Sequence, residues 1–384
     1  MRNILFVSHS AELSGAEQWL LHTLGRINRD KFRPFLVLPR SGPLEAEMKK
    51  LGIETNILSM KWWLTRRAGI WKQPLAWIWN IRGIFRLVKM IREKEIDLVF
   101  SNSAANCSGA LAAKKSGVPH IWAVHEILRG ERPLLHFLFG SRCLVRWIHS
   151  LSSRVIVNSL ATQRAFGELD RVSLVYNGID IPEEDRSPSE ALKEEWGVQK
   201  GDVVLGIIGK IYKGKGQREL IQVTALLSSR FSGLKLLVVG SIGDRGYYRR
   251  LERLVRRLGL GDRVKFTGFR KDLMDLLKLM DVLVVASLVE SFGRVVLHAM
   301  AAGTPVLAVK SGGIPEIIRH GENGFLMDSR DPEVLAASLE DILRNRERIE
   351  AVVRKGLQTV REQFTLDRQI ELIEQALAGC LGGE

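Results

Sequence analysis

The chain has 384 residues, 46% of them hydrophobic, so it can bury full cores, and at roughly 100–200 residues per domain its length predicts two domains. Its formal net charge of +14 predicts an anionic partner, and nucleic acid, anionic lipid and phosphorylated small molecules all qualify. Cys107, Cys143 and Cys380 form no CxxC pair and no zinc spacing, which argues against a disulfide framework and fits a reducing compartment. No window approaches the roughly 18 apolar residues of a spanning helix, and the apolar run in MRNILFVSHSAE is too short for a signal peptide.

Short apolar runs recur between longer helical patterns. The first half reads NILFVS, PFLVLP, DLVFSN, HIWAVH, RVIVNS and VSLVYN; the second reads VVLGIIG, KLLVVG, RVKFTG, DVLVVAS and TPVLAV. Continuous apolar strands alternating with helices predict parallel sheets covered on both faces. The pattern occurs twice, so the expected fold is α/β, with two Rossmann-like doubly wound domains facing across a cleft. The Asn177-Gly178 turn and the polar, proline-containing stretch from Pro182 to Ser189 place the break. The expected domains are 1–180, 181–362 and a C-terminal helix, 363–384, crossing back to the first. That tail carries Ile370, Leu372, Ile373 and Leu377 at helical spacing.

Ligands of doubly wound sheets bind beyond the carboxyl ends of the strands, so residues just after strands are the candidates. After the first run, Ser14, Gly15 and Ala16 would let a ligand approach the backbone, with Glu17 in the first helical turn. Taken alone, this loop reads better as an ordinary turn capped by Ser14. Between Lys61 and Lys94, Trp62, Trp63, Trp71, Trp77 and Trp79 interleave with Arg66, Arg67, Lys72, Arg82, Arg86 and Lys89. Ile78, Ile81, Phe85 and Val88 predict a stripe packed on the sheet, with Trp79, Arg82, Arg86 and Lys89 on the other face. Tryptophan with basic residues suits an anionic bilayer interface, although acceptor grooves and dimer interfaces use the same residue types. ERPLLHFLFGSRCLVRWIH, ending at His149, is a second such segment. His125 and Glu126 end an apolar run, where a cleft residue and a satisfied structural histidine are equally open readings.

In GIIGKIYKGKGQRELI, glycines 206, 209, 214 and 216 flank Lys210, Lys213 and Lys215, and a helix is expected from Gln217. Free N–H groups beside lysines suit an anion; a solvated basic turn is the plain alternative, and the spacing is not a Walker loop. After DVLVVAS comes Glu290, followed by Ser291, Phe292 and Gly293. A carboxylate accepts from hydroxyls and backbone N–H groups donate to oxygens, a set that suits a sugar; a helix-capping glutamate is the alternative. Gly312 and Gly313 follow TPVLAV, with Pro315 and Glu316 opening the next helix.

The ordered set SGAE, VHE, YNGID, GK…KG, VESFGRVVLHAMAAGTPVLA and GGIPEII resembles glycosyltransferase family 4, most strongly from Val203 to Leu326. The resemblance implies the GT-B fold, a retaining mechanism, no metal or cofactor, and a nucleoside diphosphate sugar (UDP- or GDP-linked) as substrate. It implies that Lys215 neutralises the leaving diphosphate with Lys210, which stands where arginine is usual. It also implies that Gly15 approaches the phosphates or the acceptor, that Gly209 belongs to the donor site and that His125 lies near the transferred sugar. Glu290, with Phe292 and Gly293, would hold the sugar hydroxyls. Gly268 and Phe269 would lie near the base, and Gly312, Gly313 and Glu316 would complete the donor site.

His298 stands where the family has a ribose-binding glutamate. An imidazole cannot accept from two hydroxyls; the loss is about 1–3 kcal/mol, roughly ten- to a hundredfold in donor affinity. A glycan or lipid-linked acceptor, peripheral attachment to the inner face of the cytoplasmic membrane and a cell-envelope role are expected. The alternative is a catalytically weakened binding or scaffolding protein. No recognition motif or stacking platform supports nucleic acid.

Overall fold

The computed structural model describes residues 1–65, 67–129, 135–181 and 189–382. The break from Pro182 to Pro188, Glu131 to Leu134, Arg66 and the side chain of Arg67 lie outside the described residues.

The chain divides into two compact units: Met1–Gly178 with Leu366–Glu384, and Ile179–Thr365. The first is built on β1 (Arg2–Ser8), β2 (Phe32–Leu38), β3 (Glu54–Ile57), β4 (Leu98–Asn102), β5 (His120–Val124), β6 (Arg154–Val157) and β7 (Val172–Leu174). The second is built on β8 (Val203–Ile208), β9 (Leu234–Val239), β10 (Val264–Gly268), β11 (Val282–Val285), β12 (Val306–Val309) and β13 (Phe325–Met327). The strand orders are β3-β2-β1-β4-β5-β6-β7 and β10-β9-β8-β11-β12-β13. Every neighbouring pair in these orders runs parallel. Both are doubly wound, and each order reverses beside its first strand, between β1 and β4 and between β8 and β11.

Every apolar run in the sequence forms a strand, because a strand covered on both faces must be apolar throughout. β4 and β5 are buried at each position. Two strands carry no such signal. β3 is the edge strand ETNI, with its side chains at least partly in solvent, and β13 is only three residues long.

The helix Leu366–Cys380 closes the first unit's core. Its Ile373, Ala376 and Leu377 pack with Trp19, Leu20 and Leu24 of the helix Gly15–Arg26. Gln369 ties the junction: its Oε1 accepts from the Gly178 N–H at 2.8 Å, and its Nε2 donates to Thr23 Oγ1 at 3.1 Å.

The long helix Gln73–Glu93 departs from the sequence expectation. Its buried side consists of Gln73, Asn80, Gly83, Leu87, Val88 and Ile91. Of the expected stripe only Val88 is buried; Ile78, Ile81 and Phe85 are exposed. Asn80 draws the helix inward instead, accepting from the Lys61 N–H at 2.7 Å and donating to its carbonyl at 2.8 Å. Gly83 faces Ser59 and Met60, where a Cβ would make ordinary van der Waals contact at 3.6 and 3.7 Å. Among the described residues, no helix is long and apolar enough to cross a membrane.

Candidate functional site

In the second unit the loops after β8, β11 and β12 share one end of the sheet. Strands β8 and β11 pair directly, and β11 pairs β12. The two switch-point loops are joined through their backbones, the Leu288 N–H donating to the Gly214 carbonyl at 2.7 Å. Gly216 sits flat on this junction with φ +99°, where a Cβ would lie 2.7 Å from the Ala286 carbonyl oxygen. Its neighbour Gln217 opens the helix Gln217–Leu227.

This framework brings together two of the predicted residues across 75 positions of sequence. Lys215 Nζ lies 2.5 Å from Glu290 Oε2, with both side chains largely buried. Burial pulls the Lys215 ammonium downward, but the Glu290 carboxylate, with Tyr212, more than offsets it and holds the group above its ordinary value. The Glu290 backbone is fixed as well, its carbonyl accepting from the Gly313 N–H at 3.0 Å. Gly313 caps the short helix Ile314–Ile317, which has half-buried Glu316 in its first turn. Gly293 caps the helix Arg294–Ala302 with φ +101°, and half-buried His298 lies on that helix. Phe292 is buried, its ring 5.9 Å from that of Phe364.

Lys210 is exposed, its stem laid over Gly243 and its carbonyl accepting from Gln217 Nε2 at 3.3 Å. Gly209 has φ +142° and lies beside the Lys215 stem. The Gly268 carbonyl accepts from the Gly240 N–H at 2.8 Å, and the next side chain, Phe269, is 51% exposed. Arg270 clamps that loop through Asp272 and Glu195 at 2.6 and 2.7 Å. Asp272, then Glu195, hold its guanidinium above the usual arginine range. The clamp was not evident from the segment Gly268–Asp272 alone, because Glu195 comes from another helix, Glu190–Trp196.

The first unit has its own cluster at the ends of β1, β4 and β5, which are neighbours in register. His125 Nε2 donates to Asn102 Oδ1 at 2.7 Å. The amide is oriented by Asn102 Nδ2 donating to the Ala16 carbonyl at 3.0 Å, so Nε2 of His125 carries a proton. The Trp19 ring packs edge-on against His125 at 4.9 Å. Ser103 takes φ +85°, an uncommon left-handed conformation for a non-glycine residue. It is held by its N–H donating to the Ala123 carbonyl at 2.8 Å and by its hydroxyl donating to Glu126. Glu126 also accepts from the Ala104 and His125 N–H groups at 3.1 Å each, so it fixes the loop.

Ser14 corrects the capping expectation. Its hydroxyl makes no cap bond to the helix backbone and donates instead to the Glu17 carboxylate. Glu17 is fully buried, with His9 Nε2 3.2 Å from its Oε1. Gly15 is exposed, and a Cβ there would meet nothing within 4 Å, so packing does not require glycine at this position. Asn102, Ser103 and His9 were missed by sequence reasoning; their only signal was their position at strand ends. Among the described residues, no group of three or more His, Cys, Asp or Glu side chains is placed to hold a metal ion.

Two Rossmann-like units, each with its polar cluster at a topological switch point, match the architecture of GT-B glycosyltransferases. Comparison with known proteins agrees in sequence. A model described as Glycosyltransferase Family 4 matches residues 13–183, and one described as Glycosyl transferases group 1 matches residues 188–359. The chain belongs to glycosyltransferase family 4. N-acetyl-alpha-D-glucosaminyl L-malate synthase of Bacillus anthracis is 30% identical over 203 residues, 53% of this chain and 52% of that protein. The chain thus matches about half the length of this relative, and 79% of the putative glycosyltransferase EpsD of Bacillus subtilis, which is 27% identical and covers 76% of the chain. The crystal structure of Anabaena HepE in complex with UDP and glucose is similar with TM-score 0.83 and 27% identity, over 99% of this chain and 100% of that one.

Proposed function

We propose that the chain is a retaining hexosyltransferase that moves a sugar from a nucleoside diphosphate sugar to a lipid-linked or cell-envelope glycan acceptor. The observation that carries the reading is the Lys215–Glu290 pair at the switch point of the second sheet. With no substrate bound, each charge satisfies the other, which avoids the cost of an unpaired buried ion. Donor binding exchanges partners: the diphosphate takes Lys215, and the sugar hydroxyls take Glu290. Lys210 adds charge to the diphosphate from the exposed side, and Gly209 leaves the backbone open to it. Phe269 offers a ring to the base, while Gly312, Gly313 and Glu316 complete the donor pocket with Phe292 and Gly293. The family resemblance gives His125 a role toward the transferred sugar and Gly15 one toward phosphate or acceptor. HepE was solved with UDP-glucose, which makes uridine-linked donors the first to try.

In the proposed reaction the bond from the anomeric carbon to the phosphate oxygen breaks, and the acceptor oxygen bonds to that carbon on the same face. The acceptor proton passes to a phosphate oxygen of the departing diphosphate. Charge grows on that diphosphate, so preorganised Lys215 lowers the barrier chiefly by electrostatics. The chain works at the inner face of the cytoplasmic membrane, where such acceptors lie.

A donor screen tests this reading. Uridine and guanosine diphosphate sugars are incubated with envelope extract, and both the freed nucleoside diphosphate and the glycosylated product are followed by mass spectrometry. Donor binding without release of nucleoside diphosphate from any donor supports the second reading, a binding or scaffolding protein, which His298 favours. The histidine is tested directly. His298→Glu restores two acceptor oxygens toward the ribose and tightens donor binding by about 1–3 kcal/mol, roughly ten- to a hundredfold by calorimetry. Unchanged or weaker binding means that the imidazole already supplies that contact or lies apart from the ribose.

A further inference from the structure

The outer side of the helix Gln73–Glu93, with the turn Arg67–Lys72 before it, leaves large apolar side chains in solvent. Trp71 is 82% exposed, Leu75 70%, Ile78 66% and Phe85 56%. Ile78, Ile81 and Phe85 form one strip at helical spacing, and Leu75 and Trp79 form another. Between the strips stand Arg82 and Lys89, and Arg86 continues the second strip, all exposed. The inner side is already committed, with Leu87, Val88 and Ile91 in the core beneath the sheet. The unit's own packing therefore gives no use to the outer strips.

The face continues onto the helix Gly140–Ser150. The Phe139 ring lies 5.8 Å from Trp77 and 6.3 Å from Trp147. Phe139 and Trp147 are themselves exposed, as are Arg142 and Arg146. Two segments far apart in sequence, linked by half-buried Trp77, thus each expose aromatic side chains beside cations. Lys61 and Lys115 add two more, lying over the Trp79 and Phe85 rings at 5.4 and 5.1 Å.

We propose that this face docks on an anionic phospholipid bilayer, with its aromatic and aliphatic side chains at the acyl boundary and its cations among the headgroup phosphates. Charge complementarity selects that occupant. A second copy docking by two-fold symmetry would set the same cations against themselves. Nucleic acid would satisfy the cations but not Leu75, Ile78 and Ile81, which have no ring to stack. Tryptophan at the headgroup level and basic residues toward anionic lipid are what an interfacial helix requires. The inference deepens the proposed membrane-surface acceptor and rests on that reading for its purpose. Vesicle binding is read without sugar transfer, so the two fail separately.

The test is co-sedimentation of the full chain with phosphatidylglycerol-rich and with pure phosphatidylcholine vesicles, at low and high salt. The wild type binds the anionic vesicles and is weakened by salt. Ile78→Ser/Trp79→Ser/Phe85→Ser reduces partitioning about tenfold or more, since each change removes apolar area from the boundary. Arg82→Gln/Arg86→Gln/Lys89→Gln reduces it roughly a hundredfold, at about 1 kcal/mol per cation near the surface. Arg249→Gln/Arg253→Gln, on the arginine-rich helix Arg245–Arg257 of the other unit, leaves binding unchanged. All these side chains are exposed, so melting curves should match the wild type. Absence of binding to anionic vesicles at low salt overturns the proposal. So does equal loss in the Arg249/Arg253 variant, which means charge alone. A wild-type dimer that the apolar variant dissociates, without vesicle binding, overturns it in favour of a second copy.

Discussion

Replacing Lys215 by alanine lowers kcat by about a hundred- to a thousandfold while the chain stays folded. That is the usual loss when one preorganised group facing a developing oxyanion is removed. The variant has a second effect. Glu290 loses the cation 2.5 Å from its Oε2, and its side chain is only 17% exposed. An unpartnered, largely buried acceptor costs about 1–3 kcal/mol. Stability and turnover are separated by Lys215→Ala/Glu290→Gln, which removes the stranded charge. Melting temperature recovers toward wild type in the double variant, and turnover does not. Recovery of turnover, or wild-type kinetics in Lys215→Ala, defeats the role assigned to the lysine.

The pH profile carries the same signature. The Lys215 pKa is raised above its ordinary value in the folded chain. Its contribution is therefore complete below the unfolded value and is lost only as pH rises through the folded one. Between about pH 6 and 9 the group stays a cation, and the wild-type kcat/KM profile should show no limb from it there.

Gly293→Ala destabilises the second unit by about 2–5 kcal/mol. Two costs combine. The residue has φ +101°, and a left-handed conformation costs a residue with Cβ about 1–2 kcal/mol. The new Cβ would also lie 2.4 Å from Ile314 Cδ1, a side chain with no exposure and little room to retreat. Overpacking of that kind costs about 1–3 kcal/mol. Calorimetry should show the melting of that unit falling by roughly 5–15 °C, at about 2–4 °C per kcal/mol for a unit of this size. Gly15→Ala is the control: a Cβ there meets nothing within 4 Å, so melting holds, and any loss of activity is read as a ligand effect. If Gly293→Ala melts like the wild type, the geometry described at this cap is wrong.

The strands β1, β2, β4 to β12 were legible as apolar runs, because burial on both faces leaves no room for polar side chains. Those runs also placed His125, Lys215 and Glu290 just beyond strand ends. The edge strand β3, with polar side chains, and the three-residue β13 were not legible. The part of the site made by pairing was hidden too. Lys215 meets Glu290 because β8 lies beside β11, and Asn102 meets His125 because β4 lies beside β5. Strand order is a long-range property that no local pattern encodes.

The helix Gln73–Glu93 shows the same limit in one element. Its sequence is apolar on more than one side, so hydropathy spacing favoured burying Ile78, Ile81 and Phe85. Only the tertiary structure turned them outward, since Asn80 pairs with the Lys61 backbone on the inner side. By itself the sequence determined two doubly wound units, the residues at their strand ends and the chemistry those residues carry. The tertiary structure decided which of them touch and which face of a helix stays exposed. Hydrogen-bond satisfaction and strand neighbours are settled only when distant segments pack.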